Sequence, residues 1–375
     1  MVAAVGTSLA PDQVRAARWH ALLLGRPRDW PDAPGVAVAG VAGHLGGLQA
    51  QAAPAARLAV RPRAAGLNAA DVDRACADRG VTRTWAMRGT LHLVATTDVR
   101  WMTGLFGPIF NRKDRRRRLQ LGLGDEFCQR ALAALASILA GSSPLTRAEL
   151  IERLATAGIE IDSRTQQPPH LLGYAAGRGL ICRGPDRPGE EPTYVLLDEW
   201  VPQGPALSRD DALAELARRY LAGYGPATRA DLTSWSGLPA TDTKRAWELI
   251  ADQTIPAGAD LVALAGQSLD GAPPLPRLLA HFDPLLMGYR DRTLILDPGD
   301  AAQIQAGGGF VLPTALVEGR VAGSWRLDRR TTRARLTVTP FRTLTAAAVD
   351  GLAAEAADVG RFLGTDVTFE VAAPP

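Results

Sequence analysis

Apolar residues keep helical spacing over roughly the first two thirds of the chain and give way to strand-like runs in the last. After Pro11, Val14, Ala17, Ala21 and Leu24 form one apolar stripe that stops at Gly25, the pattern of an amphipathic helix opened by proline and closed by glycine. A second helix is predicted from Gly35 or Val36 to about Gln51, and Val81 to Ala95 reads as two strands turning near Arg88-Gly89. Further on, Leu213, Leu216, Ala217, Tyr220 and Leu221 make another amphipathic face.

An internal repeat organises the middle. Leu139-Ala140-Gly141, Pro144 and Thr146-Arg147-Ala148-Glu149-Leu150 recur, 82 residues later and without a gap, as Leu221-Ala222-Gly223, Pro226 and Thr228-Arg229-Ala230-Asp231-Leu232. Each copy describes a helix, a glycine stop and a second helix opened by a Thr-x-x-acid cap, in which hydroxyl and carboxylate satisfy each other's orphan backbone N–H. In the first copy a third helix around Pro169 to Arg178 leads into Leu180-Ile181-Cys182-Arg183. A turn-rich segment then precedes Thr193 to Leu197. Three helices and a hairpin are the plan of a winged helix, a helix-turn-helix variant. The second copy follows the same order from Ser208 to about Ile250, with weaker strands after it.

The predicted fold class is therefore α+β: three tandem winged-helix units and a β-rich C-terminal domain. The units fall at residues 8–105, 126–205 and 206–266, with a basic connector at 106–125 and the β-rich part at 267–375. Within that last part Leu294 to Leu296, Phe310 to Leu312, Val317 to Leu327, Thr331 to Phe341 and Val367 to Val371 have strand composition. Ala346 to Leu363 returns to helix.

Composition narrows the class. A 375-residue chain with 46% apolar and 22% charged residues describes a globular protein of two to four domains. Its net charge of +3 is modest, so an anionic partner must be argued from local charge. The cations are almost all arginine, the only lysines being Lys113 and Lys244. Cys76, Cys128 and Cys182 form no C-x-x-C pair and read as reduced thiols, and Met1 to Ala10 has no secretory pattern, so a cytoplasmic location is expected. The uncharged run Ala33 to Ala56 is too rich in glycine and polar residues to span a membrane.

Several chemistries drop out. The five histidines are scattered, with no H-E-x-x-H or Cys/His cluster, so no metal is predicted. No Walker A loop or Gly-x-Gly-x-x-Gly follows a strand, so no cofactor is predicted; a Ser/His/Asp triad stays open in sequence, although no Gly-x-Ser-x-Gly marks one. What remains is Gln49-Ala50-Gln51 together with arginine. Two clusters of arginine stand out. One is Arg112, Lys113, Arg115, Arg116, Arg117 and Arg118 in the connector, and the other is Arg326, Arg329, Arg330, Arg333 and Arg335 around a predicted hairpin that turns near Asp328 to Thr332. Alternation puts Arg333 and Arg335 on one face of its second strand.

Four motifs in order carry a resemblance. They are Gln49-Ala50-Gln51, then Thr84-Trp85-Ala86-Met87-Arg88-Gly89-Thr90-Leu91-His92-Leu93-Val94, then His281-Phe282-Asp283 with Arg290-Asp291-Arg292, and last Gly319-Arg320-Val321-Ala322-Gly323-Ser324-Trp325. Over roughly residues 8 to 345 the chain resembles the bacterial winged-helix DNA glycosylases of the AlkZ and YcaQ type. In that family a Gln-x-Gln or Gln-x-Asp element occupies the active site. The resemblance therefore implies Gln49 and Gln51 as the catalytic residues, and Gln-x-Gln is nearer the AlkZ side. It implies a monofunctional glycosylase that hydrolyses the N-glycosidic bond of cationic N7-alkylpurine nucleotides, as bulky adducts or interstrand crosslinks. A role in DNA repair, or in self-resistance to a genotoxic natural product, goes with it. The implied partner is double-stranded DNA and the implied state a monomer. The arginine clusters are then phosphate contacts, the C-terminal hairpin being the element that approaches DNA in that family. His44, Arg88, His92 and Asp283 are candidates to line the cleft. Trp85 and Trp325 read as core anchors.

The chemistry is coherent. Glutamine cannot act as a general base at neutral pH. An N7-alkylated purine is already cationic, however, and leaves as a neutral base, so a group that holds water and faces the developing oxocarbenium can suffice. A lyase step needs an amine nucleophile, and neither Lys113 nor Lys244 lies in a motif of the site. Two other readings share the fold: a non-enzymatic DNA-binding regulator, and a protein-interaction scaffold. The Gln-x-Gln element speaks against the first and the arginine clusters against the second.

Overall fold

The computed structural model describes residues 8–25, 29–30, 33–204, 207–305, 307, 309–329 and 333–374. In the first segment helices Pro11–Ala21 (α1) and Pro34–His44 (α2) precede a two-residue strand, Leu48–Gln49 (β1). Helices Ala53–Val60 (α3) and Ala69–Ala77 (α4) follow, then the hairpin Val81–Trp85 (β2) and Leu91–Ala95 (β3). Helices Val99–Lys113 (α5) and Arg115–Gln120 (α6) lead to the second segment, so α5 runs through the predicted edge of the connector. That segment holds Asp125–Leu139 (α7), Leu145–Thr146 (β4), Arg147–Thr156 (α8), Gln167–Gly177 (α9), Ile181–Arg183 (β5), Thr193–Leu196 (β6) and Leu197–Trp200 (α10).

The third segment comprises Arg209–Tyr224 (α11), Arg229–Ser236 (α12), Ala240–Leu249 (α13) and the strand pair Thr254–Pro256 (β7) and Val262–Leu264 (β8). Both predicted Thr-x-x-acid caps form. Thr146 Oγ1 accepts from the Glu149 amide at 3.3 Å while Glu149 accepts back from Thr146 at 2.7 Å. Thr228 and Asp231 do the same at 3.1 and 3.0 Å. The first two segments share a sheet order, β1-β3-β2 and β4-β6-β5, in which a two-residue strand adds to the second strand of the hairpin.

The C-terminal part is a five-stranded sheet, order β13-β12-β11-β10-β9, with strands Arg277–Leu279 (β9), Thr314–Val317 (β10), Arg320–Arg329 (β11), Arg333–Pro340 (β12) and Asp366–Val371 (β13). A short helix, Pro284–Met287 (α14), precedes β10, and Ala346–Leu363 (α15) precedes β13. β12 and β13 are parallel, and α15 supplies the crossover that parallel strands require. Its Leu352, Ala356 and Val359 pack on Leu278, Trp325, Leu336 and Val338.

Two predicted strands are absent. Leu294 to Leu296 forms a turn in which the Ile295 and Leu296 amides bond back to the Arg292 carbonyl, and Phe310 to Leu312 makes one isolated bridge at Val311. Both are short apolar runs that bury side chains without needing a ladder, a case that periodicity cannot separate from a strand. β9 was not anticipated, because Arg277 interrupts its apolar pattern.

The cores are unequal. Residues from Leu123 to Tyr194 make a core of their own. By contrast, the first and third segments share one core with part of the C-terminal region, from Trp19 through Tyr220 and Trp235 to Leu286 and Phe362, and Cys182, Val195, Leu197, Trp200 and Val201 of the second segment join it. Buried arginines tie these parts together just beyond the Gln-x-Gln element. Arg63, fully buried, donates to both oxygens of the equally buried Asp283 at 2.9 and 2.8 Å and to the carbonyls of Leu22 and Ala59. Arg61 and Arg277 both donate to Glu355 of α15, at 2.7 and 2.9 Å.

Removing one partner of such a pair strands a charge in the interior, which costs about 3–5 kcal/mol. Arg63→Met should lower unfolding free energy by that order in urea titrations. Arg57→Met, which loses exposed partners Asp73 and Glu190, should cost less than about 1 kcal/mol.

Candidate active site

The predicted second helix does not reach Gln51; it ends at His44. Gly46 and Gly47 adopt φ of 64° and 114°, conformations side chains resist. Space is short as well: a Cβ on Gly46 would stand 3.1 Å from the Trp235 ring, and one on Gly47 2.9 Å from Val94. The chain therefore turns and enters β1, placing Gln49 on a strand. Gln49 pairs with His92 of β3, and His92 pairs on its other side with Thr84 of β2. Residues directly opposite in antiparallel strands share a face, so these three side chains lie in one row. Gln49 is buried, whereas Gln51, just beyond the strand, is exposed.

Arg88 joins the two glutamines to the third segment. Its Nη2 donates to Gln49 Oε1 at 2.8 Å, and Gln49 Nε2 donates to Gln51 Oε1 at 2.6 Å. The other arm of the guanidinium donates to the Trp235 carbonyl at the end of α12. Arg88 itself has φ 56°, and its backbone presses on Gly237, where a Cβ would come 2.9 Å from Arg88 Cα. Burial lowers the Arg88 pKa, with the charge of Arg292 acting in the same direction. Arginine nonetheless stays charged in proteins. Behind Gln49, His92 is buried with Nδ1 2.9 Å from the Thr90 carbonyl. Burial, helped by Arg88, lowers its pKa from 6.5 to about 3, so the imidazole is neutral.

Of the other predicted cleft residues, His44 is half-buried with Nε2 2.7 Å from the Ala21 carbonyl. Asp283 lines no cleft: it has no exposed surface, caps α14 through the Leu285 amide and is held by Arg63. The charge pairing was hidden in sequence because 220 residues separate the partners. Trp325 is the buried anchor expected of it, whereas Trp85 is half-buried, with Arg183 over its ring at 5.5 Å.

The arginine clusters divide similarly. Arg118 is buried, donating to the Asn111 carbonyl at 2.8 Å with its guanidinium over the Tyr174 ring at 4.2 Å, so it is a packing residue and not a DNA contact. A turn of α6 must bury one side, and position 118 falls there. Arg115 pairs with Asp125 and Arg117 with Gln166, both at the surface. Arg112, Lys113 and Arg116 are exposed with no acidic partner among the described residues. On the C-terminal hairpin Arg326, Arg329, Arg333 and Arg335 are exposed, while Ala334 and Leu336 point inward, the predicted alternation. Arg326 pairs with Asp328, and Arg335 lies 3.4 Å from Glu370. Arg330 and the predicted turn at Thr331 and Thr332 lie outside the described residues.

Two open grooves flank α5. One, of about 460 Å³, is lined by Trp85, Arg88 and Gly89 on the first segment's hairpin and by Lys113, His170 and Tyr174 opposite. The other, of about 600 Å³, is lined by Arg100, Arg112, Arg115, Arg118 and Arg178, with Asp125 among its walls. Sequence reasoning missed Trp235 and Gly237, whose roles come from a carbonyl and a ring edge placed beside Arg88 and Gly46 and from the lack of a Cβ at Gly237. Among the described residues, no helix is long and apolar enough to cross a membrane, and the three cysteines are free.

A hydrogen-bonded carboxamide pair, tied through Arg88 to the wall of one groove in a chain of this architecture, defines a class. The sequence profile of the DNA glycosylase AlkZ-like family matches residues 42–362, and the chain belongs to that family: it is a DNA glycosylase. Among its relatives, the interstrand DNA cross-link repair glycosylase of Streptomyces sahachiroi is 29% identical over 364 residues, covering 90% of this chain and 92% of that protein. The structure of Streptomyces sahachiroi DNA glycosylase AlkZ superposes with a TM-score of 0.79 at 27% identity, covering 98% of this chain and all of that one.

The His92 environment makes a pH prediction. Its folded pKa lies below the unfolded value, so between pH 6.5 and about 3 the unfolded chain binds the extra proton and stability falls as pH falls. The urea midpoint should drop from pH 6.5 to 5 in the unsubstituted chain. His92→Gln should show a smaller drop over that interval.

Proposed function

We propose that this DNA glycosylase hydrolyses the bond between deoxyribose and a cationic N7-alkylpurine, with Gln49 and Gln51 as its catalytic residues. The observation behind this reading is the hydrogen-bonded pair itself, one carboxamide buried and fixed and the other exposed. As the C1′–N9 bond breaks, its electron pair neutralises the alkylated purine, which departs uncharged. Water adds its oxygen to C1′ and releases a proton to solvent. The carboxamides contribute position and aligned dipoles, the terms that remain when no ionised base is needed.

DNA would be held by exposed cationic side chains through its phosphates: Arg112 and Lys113 at the end of α5 with Arg116 in α6, and Arg329, Arg333 and Arg335 on the β11–β12 hairpin. The segments at 8–105, 126–205 and 206–266 act as winged helices around an open surface. The grooves are not a snug pocket for an extruded base, which suits bulky adducts and crosslinks read through backbone and distortion. The cross-link repair activity named for the Streptomyces sahachiroi relative supports such a substrate. A monomer serving repair, or self-resistance to a genotoxic natural product, fits this reading.

Duplexes carrying N7-methylguanine, a bulky N7 adduct or an N7 interstrand crosslink should each be incubated with the chain and then cleaved with alkali at abasic sites. At least one should be cut, and Gln49→Ala/Gln51→Ala should abolish cutting while duplex affinity stays within about threefold. Unchanged excision by the double variant would remove these residues from catalysis. Replacing Arg329, Arg333 and Arg335 by glutamine should weaken binding to every sequence. The slope of log affinity against log salt should become shallower by about 0.9 for each phosphate no longer neutralised. Arg118→Gln should instead lower stability.

A further inference from the structure

Each carboxamide can sit in two orientations of nearly equal shape, with oxygen and nitrogen exchanged. Here the choice is made by chemistry. A guanidinium has five N–H donors and no acceptor, so the group facing Arg88 Nη2 at 2.8 Å must be the Gln49 oxygen. That turns the Gln49 NH2 toward Gln51, and at 2.6 Å Gln51 must answer with its own oxygen. Arg88 cannot drift to release this order. Its other arm is bonded to the Trp235 carbonyl, and its backbone is wedged against Gly237.

We infer that Arg88 is the positioning residue of base excision: it imposes a one-way order from guanidinium to Gln49 to Gln51, leaving Gln51 Oε1 to accept a hydrogen from the attacking water. The two glutamines are then unequal. Each carbonyl accepts one hydrogen bond and keeps a second lone pair, but Gln49 is buried, so it relays orientation, whereas the second lone pair of exposed Gln51 faces solvent. Position 49 needs a group that both accepts and donates, whereas position 51 needs only an acceptor. The inference rests on the reading of Gln49 and Gln51 as the catalytic pair.

The order makes isosteric substitutions asymmetric. Gln49→Glu still accepts from Arg88 but has no hydrogen for Gln51, whose amide must reverse and exchange its oxygen with its nitrogen. Displacing a reacting group by about 1 Å costs on the order of 100-fold in rate. Gln51→Glu still accepts from Gln49. The measurement is the single-turnover excision constant from pH 5 to 9, on whichever N7-alkylguanine duplex of the panel above the unsubstituted chain cuts fastest. Undamaged-duplex affinity and melting temperature are followed in parallel.

Gln49→Glu should fall about 100-fold. Gln51→Glu should fall less than tenfold at pH 8 and lose rate as acid protonates its carboxylate. Arg88→Met should fall about 100-fold with affinity changed less than threefold, and Arg88→Lys should recover at least tenfold of that loss. Equal losses for Gln49→Glu and Gln51→Glu would overturn the order. Weakened affinity with an unchanged rate in Arg88→Met would make Arg88 a phosphate ligand, and a rate that tracks the unfolded fraction without rescue by lysine would make it a scaffold residue. Inactive Gln49→Ala/Gln51→Ala beside active Arg88→Met would sink this inference alone. Active Gln49→Ala/Gln51→Ala, or a chain inactive on the whole panel, would sink the underlying reading with it.

Discussion

A guanidinium taken out of water brings five hydrogens that need acceptors, and this fold is arranged around meeting that demand. Of 42 cationic side chains only Lys113 and Lys244 are lysine, and several of the arginines lie inside. Arg63 is held by Asp283 and two carbonyls, Arg61 by Glu355, Asp358 and the Leu278 carbonyl with its Nε left over, Arg277 by Glu355 and the Leu24 and Gly25 carbonyls, and Arg118 by a carbonyl and an aromatic face. The pairings with Asp283 and Glu355 join parts far apart in sequence. A planar fork suits the task because it reaches two or more acceptors at once, which a point-charge ammonium does less well.

These clamps locate the glutamines. Helix α3 and the Arg61–Arg63 turn come directly after the Gln-x-Gln element; Arg61 anchors that stretch to the C-terminal sheet and helix α15, and Arg63 to Asp283 at the start of α14. From the other side, the first segment's hairpin is pinned by the third segment through the Trp235 carbonyl and Gly237. The site therefore sits on a seam between segments sharing one core. The middle segment has a core of its own, yet its Cys182, Val195, Leu197 and Trp200 join the shared one; it also meets the hairpin at Trp85, over which Arg183 lies, and α5 where Gly107 crosses Gly177.

Some of this was plain in the chain. The 82-residue repeat with its Thr-x-x-acid caps named two helices and their first residues, because a cap is a contact within four positions. The extents of α15 and of the β2–β3 hairpin were also readable from local periodicity. The end of α2 was not, since its glycines stop the helix for want of room beside Trp235 and Val94. The Leu294 to Leu296 turn misled for the opposite reason: a short buried apolar run satisfies the strand pattern without forming a ladder.

The sequence by itself determined which residue types were available for chemistry and most of the local elements, because helix stripes, caps and strand alternation act over a few neighbours. It also placed Gln49 and Gln51 together, two positions apart. Tertiary structure decided which arginines face solvent and which hold the interior, that Asp283 belongs to Arg63, and which way each carboxamide points. Those outcomes depend on partners tens to hundreds of residues away, and a buried polar group takes its role from whichever atom can complete its hydrogen bonds.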